Sequence, residues 1–185
     1  MSSASRQGLI ILYTGDGKGK TTAALGAAFR ALGHGWRVLI IQFFKGDWPV
    51  VFGELEMGKR LAPQCEVLQL GKGFVKYMGD RKPFEEHLAA AKDALRLAWE
   101  RIRSGQYDLI ILDELLYAIE YAGVQLVTLE EACGLLDHKP PALHLILTGR
   151  RAPPALIDRA DLVTEMREIK HPWQRKIPAQ EGIDY

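Results

Sequence analysis

The chain has 185 residues, of which 48% are hydrophobic and 25% are charged, and its formal net charge at pH 7 is +1. This length and composition are typical of an ordinary globular protein with room for one sizeable buried core. The near-zero net charge gives no electrostatic case for a nucleic acid or an anionic membrane surface as a partner.

The apolar runs and the cysteines indicate the cellular compartment. The runs at residues 9–13 and 38–41 are far too short to span a bilayer, and the first residues lack the apolar block of a secretory signal. The cysteines, Cys65 and Cys133, lie far apart and in no paired motif. We therefore expect a cytoplasmic protein with reduced thiols.

Short β-rich runs alternate with longer helical segments along the chain. Continuous apolar runs predict strands at residues 9–13, 37–43, 67–70, 109–112, 143–147 and 162–166. A helix rich in Ala and Leu is predicted at 21–32, and another begins at Pro83 and carries apolar residues at helical spacing to Ile102. The stretch 45–58 gives only weak signals.

This alternation predicts an α/β fold with a mostly parallel central sheet of about six strands and helices on both faces. The sequence shows no internal repeat, low-complexity tract or linker. We therefore expect a single domain over residues 8–185, preceded by a flexible tail at 1–7.

A glycine-rich segment joins the first predicted strand to the first helix, as a phosphate-binding loop requires. Its glycines allow backbone N–H groups to converge on phosphate oxygens at a helix N-terminus. Lys20 is expected to neutralise phosphate charge and Thr21 to bind Mg²⁺, whereas Thr14 stands where the usual motif begins with glycine. The predicted nucleotide-binding residues of the loop are Gly15, Asp16, Gly17, Lys18, Gly19, Lys20, Thr21 and Thr22.

Two carboxylates, Asp113 and Glu114, follow the predicted strand at 109–112. Parallel strands present their carboxyl ends at one edge of the sheet, where ligands of such folds bind. Together with Thr21, these carboxylates are the predicted ligands of a Mg²⁺ (or Mn²⁺) ion.

These features predict nucleotide binding and leave the reaction open. Phosphoryl transfer by a nucleoside kinase, an ATP-driven switch or motor-like module, and nucleotidyl or adenosyl transfer are all compatible with them. A kinase usually carries an arginine-rich lid, and Arg150 with Arg151 is the one local hint of it.

Six motifs in order resemble the ATP:corrinoid adenosyltransferase family with a modified phosphate loop. They are the loop 14–24, the second-strand segment 41–46, the strand end 112–117, the segments 147–150 and 160–166, and a C-terminal motif of 169–172 followed by 179–185, which ends in Gly182-Ile183-Asp184-Tyr185. The resemblance covers about residues 8–185 and implies a RecA-like P-loop NTPase fold, a three-layer sandwich.

The resemblance implies an unusual use of a phosphate loop. The Co(I) centre of a corrinoid attacks C5′ of ATP, a Co–C bond forms, and tripolyphosphate leaves intact. Because charge develops on the leaving group, Lys18, Lys20, Mg²⁺ and the loop amides are expected to stabilise the transition state. The nucleophile is the metal itself, so no general base is needed. The resemblance leaves open whether the acceptor is cobalamin, cobinamide or an earlier biosynthetic intermediate.

The family binds the corrinoid in a hydrophobic pocket where an aromatic pair displaces the lower axial ligand. Here Phe74 matches the first aromatic residue, which makes it a predicted catalytic residue. Lys76 stands where the family has Trp, and Tyr77 is the candidate replacement.

The resemblance also implies partners and secondary roles. A reduced flavin or flavodoxin-type protein is the expected electron donor, and a homodimer is the expected assembly. Arg150 is expected to reach phosphate or ribose, His171 to fix the tail, and Asp184 and Tyr185 to order the C-terminal segment near the site.

Overall fold

The computed structural model describes residues 7–76, 79–120 and 123–185, so the tail predicted at 1–7 lies, apart from Gln7, outside the described residues. The strands are β1 (Ile10–Thr14), β2 (Val38–Gln42), β3 (Cys65–Gln69), β4 (Leu109–Asp113), β5 (His144–Thr148) and β6 (Leu162–Glu165). They form one sheet in the order β3-β2-β4-β5-β1-β6, and every neighbouring pair is parallel. The predicted α/β class with about six strands is therefore confirmed.

Helices cover both faces of this sheet. They are α1 (Lys20–Gly33), α2 (Gly53–Leu61), α3 (Phe84–Arg103), α4 (Leu115–Ile119), α5 (Leu129–Asp137) and α6 (Pro154–Ile157), and a 3₁₀ turn spans Pro172–Arg175. All five residues of β2 and of β4 are buried, because side chains of successive strand residues enter opposite layers. Val38 and Ile40 pack in the core under α1, whereas Leu39 and Ile41 pack in the core under α3, α4 and α5.

Of the helices that the structure describes, α2, α4, α5 and α6 were not predicted from the sequence. Helix α2 overlaps the stretch of weak signals at 45–58, and its support is local: acidic residues occupy its first turn and basic residues its last, which complements the helix dipole. Helix α5 begins with a capping box, in which the Thr128 hydroxyl accepts from the Glu131 N–H at 3.1 Å and the Glu131 carboxylate accepts from the Thr128 N–H at 2.8 Å. That box is a sequence signal that identifies the start of a helix.

Parallel pairing brings the ends of four strands to one edge of the sheet. Gln42 at the end of β2 pairs in register with Asp113 at the end of β4, and Thr148 ends the neighbouring strand β5. Strand β1 runs from that edge into the glycine-rich loop that precedes α1. Among the residues that the structure describes, no helix is long and apolar enough to cross a membrane.

Near the carboxyl end of β2, the backbone at Gly71 packs closely against the backbone of Phe43 and Phe44. A Cβ added at Gly71 would lie 2.1 Å from the carbonyl oxygen of Phe43 and 2.4 Å from the Cα of Phe44. Because both neighbours are backbone atoms, the segment after β2 must move to admit a side chain.

Gly71→Ala should therefore destabilise the protein by about 1–3 kcal/mol, the usual cost of overpacking. Gly26→Ala is the matched control, because nothing lies within 4 Å of the added methyl group and alanine favours a helix interior by about 0.5–1 kcal/mol. Denaturant unfolding of both variants measures the difference. A Gly71→Ala protein as stable as the wild type would contradict the close packing described here.

Candidate functional site

The glycine-rich loop between β1 and α1 is shaped by its own glycines and by the segment after β6. Gly15 has a φ of 97° and Gly19 a φ of 118°, a region that side chains with a Cβ rarely adopt. A Cβ added at Gly15 would lie 2.4 Å from the Met166 carbonyl oxygen, and that same oxygen accepts from the Gly17 N–H at 2.8 Å. The loop therefore rests against backbone on its outer side.

Lys20 is the first residue of α1 and folds back over the loop. Its side chain is buried, and its ammonium donates to the carbonyl oxygens of Gly15 at 2.8 Å and Gly17 at 2.7 Å. Burial lowers the pKa of the Lys20 amine, an effect that the carboxylate of Glu114 partly offsets. The ammonium is thus held inside the loop, at the position where a phosphate group is expected to bind.

Asp113 connects the loop to the ends of three strands. One carboxylate oxygen of this fully buried residue accepts from the hydroxyl groups of Thr21 and Thr148, each at 2.7 Å. The other oxygen accepts from the Gln42 amide at 3.0 Å and lies 3.6 Å from the Lys45 ammonium. Buried charges persist only where they are paired and hydrogen-bonded, and Asp113 meets both conditions.

Glu114 follows in a left-handed conformation, with a φ of 63°, at the start of α4. Its N–H donates to the Thr148 hydroxyl oxygen at 2.9 Å, which fixes the turn after β4. Burial, with Asp113 alongside, raises the pKa of Glu114 to about 7 from the usual 4.5, although the charges of Lys20 and Lys45 oppose the shift.

An ion pair that the sequence analysis did not identify forms the opposite wall. The Lys45 ammonium lies 2.9 Å from a carboxylate oxygen of Glu54, and the same oxygen accepts from the Gln42 amide at 2.9 Å. Burial works against the charged lysine, but Asp113 and Glu54 outweigh it and raise the pKa of Lys45. The available signal was topological: the segment after β2 must reach the same edge as β1 and β4.

The C-terminal segment also reaches this edge. The Lys18 ammonium forms an ion pair with the Asp184 carboxylate, which in turn accepts from the Gln180 N–H at 2.7 Å. The hydrogen bond from Lys18 lowers the pKa of Asp184. On the other side of the loop, a guanidinium nitrogen of Arg150 lies 3.4 Å from Asp16.

These groups surround a cavity of about 410 Å³. Its lining comprises the loop and first turn of α1, the ion pair opposite, one carboxylate of the β4 end and the C-terminal segment, namely Lys18, Gly19, Lys20, Thr21, Thr22, Leu25, Lys45, Gly53, Glu54, Glu114, Gly182, Ile183, Asp184 and Tyr185. A cavity of this size fits the range of small-molecule sites. Of the predicted residues, those from Lys18 to Thr22 and Glu114 line this cavity together with the C-terminal motif. Asp113 does not line it but contacts Thr21 at 2.7 Å.

Phe74 lies outside this cavity, in a cluster of aromatic rings. It stacks on Phe44 with ring centroids 5.0 Å apart and meets the edge of Tyr117 at 4.8 Å. Trp48 lies 6.0 Å from Phe74 in an edge-to-face arrangement, and both line a second cavity of about 230 Å³ with Lys72 and other residues.

The structure supplies an aromatic neighbour for Phe74 that the sequence analysis did not predict. Lys76, at the family's Trp position, is exposed and donates its N–H to Asp80 at 3.0 Å. Tyr77, the candidate replacement, lies outside the described residues. Trp48, 26 positions before Phe74 in the chain, could be found only from the fold.

The predicted metal ligands provide oxygen atoms on adjacent elements. Within residues 7–76, 79–120 and 123–185, no cluster of three or more His, Cys, Asp and Glu side chains could hold a metal by itself. Thr21 and Asp113, hydrogen-bonded at 2.7 Å, match the way Mg²⁺ binds in nucleotide sites, through one or two carboxylates with substrate phosphates and waters.

The fold and this site define a nucleotide-binding α/β protein of the phosphate-loop class. The model of the family ATP:corrinoid adenosyltransferase BtuR/CobO/CobP matches residues 6–185, and the chain belongs to this family. It is 38% identical over 185 residues to the corrinoid adenosyltransferase of Sinorhizobium sp, covering 100% of this chain and 83% of that protein. The corrinoid adenosyltransferase of Escherichia coli (strain K12) is 36% identical over 179 residues, with 97% and 86% covered.

A solved structure shares the fold at low sequence identity. The flagellar accessory protein FlaH from Methanocaldococcus jannaschii superposes with a TM-score of 0.55 and 11% identity, covering 86% of this chain and 71% of that chain. Identity this low supports the likeness of fold alone.

The raised pKa of Glu114 predicts a pH dependence of stability in the metal-free protein. Between about pH 4.5 and about pH 7 the folded state holds a proton on Glu114 that the unfolded state has lost, so the free energy of unfolding falls as pH rises. Glu114→Gln should remove this dependence and melt at a higher temperature than the wild type above pH 7.

Thermal unfolding in the presence of a chelator measures this difference. Glu100→Gln is the control, because that exposed carboxylate pairs with Arg96 on the surface of α3. Parallel pH profiles for wild type and Glu114→Gln would contradict the burial of an ionisable carboxyl group at this position.

Proposed function

We propose that this chain transfers the 5′-deoxyadenosyl group of ATP to the Co(I) centre of a corrinoid, in the formation or salvage of an adenosylated corrinoid. The observation that carries the proposal is the family match over residues 6–185. The phosphate loop and the C-terminal motif of this chain line the same cavity. The match favours adenosyl transfer over the kinase and ATP-switch alternatives.

The reaction balances without a general base. An electron pair of Co(I) forms the Co–C bond at C5′, and the pair of the C5′–O bond departs with the oxygen of tripolyphosphate. The task of the protein is therefore to orient the substrates and stabilise the charge that develops on the leaving group. Lys20, Lys18 and the loop N–H groups of Gly15–Thr22 are the groups proposed for this task, with Arg150 near the loop as a further cation.

Thr21, Asp113 and Glu114 are the residues proposed to hold Mg²⁺ or Mn²⁺. Their oxygen atoms suit a hard cation, and the hydrogen bond of 2.7 Å between Thr21 and Asp113 sets the hydroxyl oxygen beside the loop. When bound, the ion supplies positive charge to the phosphate oxygens.

The aromatic cluster around Phe74 is the proposed wall of the corrinoid site. The ring of Phe74 is held by stacked and edge-to-face contacts with Phe44, Trp48 and Tyr117. Phe74 therefore offers a rigid surface to a large apolar ligand. We propose that Phe74 acts there as the family resemblance implies, by excluding the lower axial ligand of cobalt.

The setting proposed for this activity is the cytoplasm. Cys65 and Cys133 are free thiols, which suits a reducing compartment. A reduced flavin or flavodoxin-type donor is proposed to deliver the electron that makes Co(I), and a homodimer is the proposed assembly of a single domain that spans residues 8–185.

The central experiment mixes the protein, Mg²⁺-ATP and a chemically reduced corrinoid under exclusion of oxygen. A light-sensitive alkylcobalt spectrum together with tripolyphosphate is the expected result. ADP and phosphate as the only products would contradict adenosyl transfer.

Lys20→Ala should abolish turnover and leave the fold intact, because the hydrogen bonds of the ammonium, among the residues that the structure describes, go to carbonyl groups of the loop. Turnover is measured by the same assay and the fold by circular dichroism. Lys92→Ala, which removes a partly exposed ammonium paired with Glu131, is the control and should remain active. Near-normal turnover of folded Lys20→Ala would mean that the loop does not bind the triphosphate.

Phe74→Ala should slow adenosylation without changing the affinity for Mg²⁺-ATP, because the ring lies outside the nucleotide cavity. Titration calorimetry with ATP and the spectrum of the bound Co(II) corrinoid measure the two effects separately. The control is Phe29→Ala, since that ring is 78% exposed on α1. An unchanged corrinoid spectrum and rate in Phe74→Ala would contradict the assignment.

A further inference from the structure

Lys45 places a second, partly buried ammonium at the nucleotide cavity, and the roles assigned so far leave it unused. Only 16% of its side chain is exposed, and it lines the cavity on the wall opposite the loop. Its ammonium contacts Glu54 at 2.9 Å and lies 3.6 Å from Asp113. The lysine therefore sits beside the predicted metal site, on the side away from Lys20.

The position of Lys45 relative to the aromatic cluster indicates that Lys45 faces the C5′ end of the triphosphate. Its ammonium lies 4.6 Å from the ring centre of Phe52, which meets the edge of Trp48 at 5.8 Å. Trp48 in turn contacts Phe74 at 6.0 Å. Lys45 thus stands between the phosphate loop and the proposed corrinoid wall, and C5′ of ATP is the atom at which the two substrates must meet.

The surroundings of Lys45 hold its charge in place. Glu54 is fixed by the Gln42 amide at 2.9 Å, and Gln42 is fixed by the Gln69 amide at 2.9 Å. A buried ion pair contributes little net stability compared with apolar residues of the same size. A pair built with this many supporting hydrogen bonds, at the wall of a ligand cavity, is better explained by a role toward the ligand.

We propose that Lys45 donates a hydrogen bond to the α-phosphate oxygen bonded to C5′ of ATP and stabilises the charge that this oxygen gains as the C5′–O bond breaks. The inference rests on the adenosyl transfer proposed above. The electron pair of Co(I) enters the Co–C bond, the C5′–O pair stays on the oxygen, and Lys45 keeps its proton throughout. Glu54 is the positioning residue, because it aims the ammonium across the cavity.

This role predicts a difference between substrate and product affinity. The oxygen bonded to C5′ is a neutral ester oxygen in ATP and a charged terminal oxygen in tripolyphosphate. An ammonium aimed at that oxygen must therefore bind tripolyphosphate more strongly than ATP, which is the signature of a group that acts in the transition state. A lysine that only supports the cavity wall would affect both ligands equally.

The test compares Lys45→Met with Lys59→Met, which removes an exposed ammonium that pairs with Glu56 on α2, the helix that carries Glu54. For Lys45→Met, kcat should fall by about 10²–10³-fold, the usual cost of one donor to a developing anion. Calorimetry with Mg²⁺-tripolyphosphate and Mg²⁺-ATP should show a larger loss of affinity for the first ligand. Lys59→Met should behave as the wild type.

A second variant keeps the test valid if Lys45→Met does not fold. Lys45→Met with Glu54→Gln removes both charges of the pair and so leaves no uncompensated carboxylate in the wall; it should show the same selective loss of tripolyphosphate affinity. Glu54→Gln alone should show a smaller loss of kcat than Lys45→Met, and it should also lose more affinity for tripolyphosphate than for ATP.

The outcomes separate this inference from the proposed function. Equal losses of affinity for ATP and tripolyphosphate, or a normal kcat in folded Lys45→Met, overturn the role of Lys45 while the wild type still forms alkylcobalt. A wild type that forms none overturns the proposed function itself.

Discussion

The buried carboxylate of Asp113 is the interaction on which the rest of the site depends. It ends a fully buried strand and accepts hydrogen bonds from Thr21 on α1, Thr148 on β5 and Gln42 on β2. One side chain therefore ties the phosphate loop to β2 and β5, the two strands that flank β4 in the sheet. Removing a partner of a buried charge is costly, so the register of these strands and the position of the loop are set together.

The cations of the site are held in place by oxygen atoms of the protein. Lys20 donates to carbonyl groups of the loop, Lys18 pairs with Asp184, and Lys45 pairs with Glu54. In each case the partner of the ammonium is an oxygen atom. A phosphate oxygen can take the place of that partner or bind the ammonium beside it. Holding the ammonium groups before the ligand arrives reduces the reorganisation needed when charge develops, which is how such sites accelerate reactions.

The sequence predicted those parts of the fold and site that depend on local pattern. The apolar runs located the six strands that the structure describes. The loop with Asp113 and Glu114 was predicted to lie at one edge of the sheet, and the structure places them there, because strand, glycine turn and helix follow each other directly. Helix α2 was not predicted, since it has nine residues and draws support from charges at its ends rather than from an apolar stripe.

Lys45, Glu54 and Trp48 were not predicted for a different reason. Their roles come from contacts between segments distant from the loop in sequence, and a lysine or tryptophan in a loop is usually solvent-exposed or part of the core. Only the parallel order of the strands shows that the segment after β2 faces the loop. The family resemblance, in contrast, depended on ordered motifs and was confirmed over residues 6–185.

The proposed reaction requires the loop to hold a leaving group while the bond at C5′ breaks. ATP that carries a heavy oxygen isotope at the position bonded to C5′ tests it most directly, because mass spectrometry of the products shows which bond was cleaved. Adenosyl transfer predicts that the label leaves in tripolyphosphate and that the adenosyl product carries none. Label retained in an adenosine-containing product would show cleavage at phosphorus and would contradict a leaving-group role for the loop.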